Sequence, residues 1–200
     1  MSRIVADITV SLDGFVTGPD PDLDHGLGVG GEPLHDWAIV SDDPVDAAAL
    51  AEATDSTGAV IMGRNLFDII DGPLGWNDEM GYGARHAAVP PVFVLTHTPP
   101  TEWRLGSRVS FVTSGLEEAI RHARAAAGDR DVVVMGGGET VRQAVASGAV
   151  EELRLHLAPI LLGSGTPLFR GGAPRALRLL SARQSPHAVH LAYAVDPGGR

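Results

Sequence analysis

The sequence predicts an α/β domain built on a mostly parallel central sheet, with an antiparallel hairpin at its C-terminal edge. Three observations carry this. Wholly apolar runs at 59–62, 92–95 and 132–135 suit strands covered on both faces. Segments with helical spacing and helix stop signals alternate with such runs as far as Gly148. Beyond residue 150, strand-like segments follow one another without helices, which implies antiparallel pairing.

The elements follow in order. Residues 3–10, rich in Ile and Val, suit a first strand, broken by Ser11-Leu12-Asp13-Gly14-Phe15. Residues 17–36 hold many Gly, Pro and Asp and predict a long loop, a feature often serving as a lid or wall. Asp43-Pro44-Val45-Asp46 opens a helix that runs through Ala53. Asp43 suits the N-cap, Pro44 the first helical position, and Asp46 a site where negative charge is favoured. Gly58 to Met62 is a short strand ending in Gly63-Arg64-Asn65, followed by a short helix over 66–70 and a loop over 71–90.

Residues 92–95 and 109–112 predict two further buried strands. Ser114-Gly115-Leu116-Glu117 has the spacing of a capping box, and Leu116, Ala119, Ile120 and Ala123 form one helix face up to Gly128. Residues 152–160 form a strand with Leu153, Leu155 and Leu157 on one face and Arg154 and His156 on the other. A turn at 163–166 precedes a hairpin of 176–184 and 187–195, turning at Ser185-Pro186.

The stretch most suggestive of function is Val132-Val133-Val134-Met135-Gly136-Gly137-Gly138-Glu139-Thr140. It reads as a buried strand, a turn of three glycines and a helix start. Glycines at the mouth of a helix let a ligand approach the backbone, and the free N–H groups and helix dipole favour an anion. The turn therefore predicts a phosphate or pyrophosphate cradle; a tight strand-to-helix turn without a ligand is the plainer alternative. It is not a Rossmann fingerprint, because Val141 stands where the third glycine would be. No Gly-Lys-Ser/Thr follows it.

Composition bounds the rest. The 200 residues with 44% hydrophobic content predict one domain, 1–200, with a sizeable core. All 15 basic residues are arginine, which excludes lysine-dependent chemistry. A net charge of −10 argues against nucleic acid as a partner. With no cysteine there are no disulfides or thiolate metal sites, and the eight histidines show no metal-ligand spacing. His187 and His190 fall on opposite faces of a strand, and His156 reads as structural. No secretory signal and no membrane-length apolar run is present, so a cytoplasmic protein is expected. A hydrolase elbow is missing, since Gly163-Ser164-Gly165 is too short.

Residues 59–64 (AVIMGR), 91–96 (PVFVLT), 134–139 (VMGGGE) and 151–156 (EELRLH) leading into 159–163 (PILLG), in that order, resemble the dihydrofolate reductase superfamily. The opening Ser11-Leu12-Asp13-Gly14 and the ordered set are more similar to its riboflavin-biosynthesis reductase branch, especially the small stand-alone bacterial proteins of that branch. The resemblance implies a dihydrofolate-reductase-like three-layer sandwich and an NADPH site. Gly63 and Arg64 would meet phosphates. Thr96 and His97 would lie near the adenosine ribose and its 2′-phosphate. Gly136, Gly137, Gly138, Glu139 and Thr140 would hold the pyrophosphate. The branch often carries a threonine where this chain has Leu66. The implied activity is hydride transfer to a pterin or pyrimidine riboside, as in 5-amino-6-(5-phosphoribosylamino)uracil reductase, with Arg170 and Arg175 available for a substrate phosphate.

Asp13 beside a glycine turn is a candidate to line the site. Asp46 is the nearest counterpart of the acidic residue that binds the pterin ring in dihydrofolate reductases; its plainer role is a helix N-terminal charge. Trp76 could cover a ring-shaped substrate or anchor its own loop. The Leu-rich strand 153–157 could pair or pack across a homodimer, which the resemblance also implies, or belong to the ordinary core. Two alternatives stay open: a flavin or deazaflavin on the same fold, and a nucleotide-binding module without catalysis.

Overall fold

The computed structural model describes residues 2–77, 81–82 and 89–196. In chain order the elements are β1 (Ile4–Ser11), β2 (Phe15–Thr17), a 3-10 turn (Glu32–His35), α1 (Asp36–Ile39), α2 (Pro44–Asp55), β3 (Thr57–Gly63), α3 (Arg64–Asp71), β4 (Val92–Leu95), β5 (Val109–Val112), α4 (Leu116–Ala127), β6 (Asp131–Gly136), α5 (Gly138–Ser147), β7 (Glu152–Ala158), β8 (Thr166–Pro167), β9 (Leu177–Gln184) and β10 (Val189–Val195).

Eight strands form one sheet in the order β5-β4-β3-β6-β1-β7-β10-β9. The first six pair in parallel, and β10 pairs antiparallel with both β7 and β9. The fold is therefore the mostly parallel sheet with an antiparallel edge that the sequence predicts. One face of β1 (Ile4, Ala6, Ile8, Val10) joins Ile61, Val132, Val134 and Leu153 in a core closed by Ala119 and Ala123 of α4 and Val141 and Ala144 of α5. On the opposite face, Val60, Met62, Val92 and Val94 pack on Phe67 and Ile70 of α3, and Trp37 packs with Ala49 of α2. Helices on both faces make three layers, because strands with apolar residues at every position bury both sides.

Several local expectations are corrected. The 17–36 region is not all loop. Phe15–Thr17 pairs with Thr166–Pro167, and the 3-10 turn begins at Glu32, with Pro33 in its first turn. The short helix is longer than 66–70 because Gly63 serves as its extended N-cap. The capping box is not formed: Gly115, at φ 92°, turns the chain into α4, and no side chain caps the helix. Asp43 does cap α2, accepting from the Val45 N–H at 2.8 Å. β5 is not wholly buried, since it is the sheet edge and Ser110 faces out. The loop expected over 71–90 lies partly outside the described residues, at 78–80 and 83–88.

β7 is interior, with β1 on one side and β10 on the other, so it cannot pair across a dimer. The free antiparallel edge is β9, exposed along its whole length and carrying Leu177, Leu179 and Leu180.

Candidate functional site

The parallel strands β1, β3, β4, β6 and β7 share one direction, so their C-terminal ends lie along one side of the sheet. Ligands of open α/β sheets bind outside such ends. The residues gathered there are Ser11 to Asp13, Gly63 and Arg64, Thr96, Gly136 to Thr140, and Ile160 to Gly163.

At the centre, β3 and β6 are neighbours, with Met62 opposite Gly136. Gly136 has φ 142°, a conformation that glycine tolerates, and the Gly136–Gly137 peptide is cis. Gly137 is the extended N-cap of α5, whose first residues are Gly138, Glu139 and Thr140. Space differs sharply among the three glycines. A Cβ on Gly138 would meet Val16 Cγ2 at 2.9 Å, and one on Gly136 would meet Leu66 Cδ2 at 3.1 Å. A Cβ on Gly137 would meet nothing within 4 Å. Gly137 thus presents bare backbone to open space at a helix N-terminus, the geometry an anionic group needs for close approach. Gly63 abuts the same turn: a Cβ there would overlap Thr140 Oγ1, with Gly137 N at 3.9 Å. The structure therefore brings Gly63, Gly137 and Thr140 together.

Arg64, the first residue of α3, reaches sideways. Its Nε donates to Asp68 Oδ1 at 2.6 Å and its guanidinium to the Thr98 carbonyl at 2.7 Å. Thr96 Oγ1 also donates to that carbonyl, at 2.9 Å, and accepts from the Thr98 N–H. Arg64 and the 96–98 turn are thereby joined, while His97 is exposed. Glu139 points outward. It pairs with Arg142 and accepts from Gln143 at 3.0 Å, and Arg170 lies 3.7 Å away. These contacts, with that of Gln143 foremost, hold the Glu139 carboxyl below its ordinary value. Arg175 carries a buried nitrogen without a protein hydrogen-bond partner.

Asp13 has a different position from the one its motif suggests. It accepts from Ser11 Oγ at 2.6 Å, from the Leu162 N–H at 3.1 Å and from the Gly163 N–H at 2.6 Å. The Ser11 hydrogen bond, followed by the backbone donors, holds its carboxyl below the usual range. Asp13 clamps the turn after β1 to the loop after β7, and its acceptor positions are engaged in that task. Trp76 packs in the cluster around α3 with the Arg108 guanidinium 5.0 Å above its ring, an anchor for its own loop.

Asp46 is not a surface helix charge. It is 1% exposed and lies at the end of a buried polar chain. Asp7 Oδ1 is 2.9 Å from His156 Nε2, His156 Nδ1 is 2.7 Å from His190 Nδ1, and His190 Nε2 is 2.6 Å from Asp46 Oδ1. Ser41 Oγ donates to Asp46 Oδ2 at 2.6 Å. Burial alone would raise the Asp46 carboxyl, but hydrogen bonds from Ser41, His190 and Ser185 outweigh it and hold it low. Trp37 roofs the chain. It stacks on His156 at 4.0 Å between ring centres and meets His190 edge-on at 5.1 Å. Its indole N–H donates to Thr9 Oγ1 at 2.9 Å. The face of β7 that reads as polar in sequence is therefore buried. Sequence reasoning missed Asp7, Thr9 and Trp37. The available signal was Asp7, Thr9 and Ser11 spaced by two on an otherwise apolar strand, which places three polar groups on one covered face.

The family described as RibD C-terminal domain matches residues 2–191. The chain belongs to that family. Among curated relatives, YyaP of Bacillus subtilis (strain 168) is 22% identical over 173 residues, covering 84% of this chain and 80% of that protein. YwjB of the same organism is 24% identical over 195 residues, covering 96% and 97%.

Solved RibD-type structures share the fold. A protein from Shewanella sp. PV-4, described as a putative riboflavin biosynthesis protein, superposes with a TM-score of 0.67 at 24% identity, over 98% of this chain and 99% of the other. A pyrimidine reductase-like protein from Corynebacterium diphtheriae gives 0.63 at 16% identity, covering 98% and 92%. RibD of Acinetobacter baumannii gives 0.64 at 16% identity; this chain spans 58% of it. The RibD C-terminal domain fold thus sets the 136–140 turn, Arg64 and the 96–98 turn on one side of one sheet. Among the described residues there is no group of three or more His, Asp or Glu able to hold a metal, and no helix long and apolar enough to cross a membrane.

Proposed function

We propose that this chain is an NADPH-dependent reductase acting on a small pyrimidine- or pterin-like heterocycle. The observation that carries the reading is the bare Gly137 backbone, open to solvent and flanked by Gly63 and Thr140, in a RibD C-terminal domain. Backbone N–H groups at the start of α5 would bind the pyrophosphate, and Gly63 would leave room beside it. Arg64 offers a planar fork suited to a ribose phosphate, next to Thr96 and His97. When bound, NADPH supplies the hydride; the protein contributes orientation and exclusion of water. Asp13 acts in this reading as a clamp on the site wall, and Asp46 belongs to the separate buried polar chain beneath Trp37. Arg170, near Glu139, would meet a substrate phosphate; Arg175 lies beside Gly148 at the far end of α5 and stands away from the Gly137 turn.

A homodimer joined along β9 belongs to the same reading, because a long exposed edge strand with Leu177, Leu179 and Leu180 invites pairing with a second copy.

The test is NADPH oxidation followed at 340 nm, roughly the reduced nicotinamide band, with a panel of pyrimidine ribosides, their phosphates and dihydropterins. Turnover of one class supports the proposal. Nucleotide binding without turnover across the panel would favour a non-catalytic binding module, and a yellow protein that ignores NADPH would favour a flavin.

A further inference from the structure

The buried chain beneath Trp37 can be counted in protons. Its three contacts, Asp7 to His156, His156 to His190 and His190 to Asp46, run in series at 2.9, 2.7 and 2.6 Å. Each contact needs one hydrogen. Two neutral imidazoles bring one each, and two ionised carboxylates bring none. Ser41 gives its hydroxyl hydrogen to the other oxygen of Asp46 and supplies none to the series. The series is one proton short. If both histidines point N–H at their carboxylates, their two Nδ1 lone pairs confront each other at 2.7 Å, which no buried pair sustains without a shared hydrogen.

We propose that Asp7, His156, His190 and Asp46 form a proton-binding site that holds one extra proton between the two histidines, and that losing this proton releases Trp37 from the sheet. In the closed form both Nε2 atoms are protonated toward carboxylates and the extra proton lies between the two Nδ1 atoms. The four groups then carry a net charge of −1. On release the proton passes to solvent, no other bond changes, and the two rings must separate. Trp37 covers both rings, so its position reports the change.

The surroundings fit a site that binds and releases. Arg154 on β7 offsets the negative charge: against burial, Glu152 and then Asp7 raise its pKa, and Asp7 Oδ2 and Arg154 Nη1 are both buried without a hydrogen-bond partner. Burial, followed by the charge of His156, pushes His35 on the 3-10 turn down to about 4, so it stays neutral and does not compete. Burial raises Tyr82, which faces Asp7, so it stays protonated. Glu52 of α2 and Arg183 of β9 pair with each other at 2.7 Å beside a small cavity that His156 and His190 also line. That cavity is a route for the proton to solvent. Burial, opposed by Asp46 and joined by the charges of His156 and Arg183, holds His190 below its ordinary value, which favours release of the proton.

The test uses the full chain with Trp76→Phe and Trp103→Phe, leaving Trp37 as the single tryptophan of three. Its emission is titrated between roughly pH 5 and 8, the histidine window, alongside the ring nitrogen shifts of His156 and His190 in the unaltered protein. The expected result is one transition with the steepness of a single proton, at the same midpoint by both readouts, and absent from emission when His190→Gln is added. Three ring N–H groups are expected on the acid side of that midpoint and two on the alkaline side. Two singly protonated rings throughout overturn the proposal. So does Trp37 emission that stays flat while the rings titrate, or that titrates unchanged in the His190→Gln background. Should that variant fail to fold, the ring shifts and Trp37 emission of the folded protein still decide the matter. Failure of NADPH binding would leave this site untouched, because the two rest on different residues.

Discussion

Gly63 and Thr140 stand so close that a methyl group on Gly63 would occupy the place of Thr140 Oγ1. The end of β3 and the first turn of α5 are fitted through this pair, 77 positions apart in sequence (140 minus 63). Gly63→Ala is expected to cost about 1–3 kcal/mol of stability by overpacking. Thr140→Ala in the same chain should recover most of that, because the next atoms lie at 3.8 and 3.9 Å. Chemical denaturation of the two single variants and the double variant measures the coupling; strictly additive costs would show that the pair is not in contact.

Arg64 donates to Asp68 and to the Thr98 carbonyl, so its guanidinium is oriented before any ligand arrives. Arg64→Gln should weaken NADPH by about 1.5–3 kcal/mol, the size of a hydrogen bond to a charged group, while NADH changes less. Titration calorimetry with both nucleotides distinguishes this from equal losses, which would place Arg64 away from the 2′-phosphate.

Asp13 gives a pH-dependent contribution with a defined sign. Its folded-state carboxyl is held low, first by Ser11 and then by the Gly163 and Leu162 N–H groups. A depressed value means the contribution is complete above the unfolded value of about 3.9 and disappears as pH falls through the folded value. Asp13→Ala should therefore be less stable than the parent at neutral pH, and the gap should close in acid. Thermal unfolding at a series of pH values checks this; a gap that widened below pH ~4 would contradict the clamp.

Leu179 and Leu180 lie on the exposed edge strand. A homodimer along β9 should sediment at twice the mass of the chain, and Leu179→Asp should shift it to monomer without unfolding it. Equal sedimentation of parent and variant would remove β9 as the interface.

Much of this was legible in the sequence, for reasons that differ by element. The runs at 59–62, 92–95 and 132–135 announce buried strands because parallel strands between helices need apolar residues on both faces. The triple glycine announces its turn because only glycine tolerates φ 142° at position 136 and leaves the backbone bare at 137. Asp13 and Asp46 stand out in the sequence as residues but not by their roles. Asp13 is defined by Leu162 and Gly163, and Asp46 by His190, partners 144 or more positions away. The capping box failed because Gly115 offered another way into α4. His156 reads as an ordinary polar strand residue until Trp37, from the stretch between the 17–36 loop and the Asp43 helix start that the sequence assigns to no element, closes over it.

Thermal unfolding of the parent and of Gly137→Ala, with and without NADPH, decides whether the Gly137 turn holds the cofactor. A Cβ at position 137 meets nothing, so the unliganded midpoints should agree; the added methyl occupies the ligand's place, so NADPH should raise the parent's midpoint and not the variant's. The rise should be larger with NADPH than with NADH. A parent that responds to neither nicotinamide nucleotide, or a variant that responds as strongly as the parent, would remove the Gly137 turn as the cofactor site.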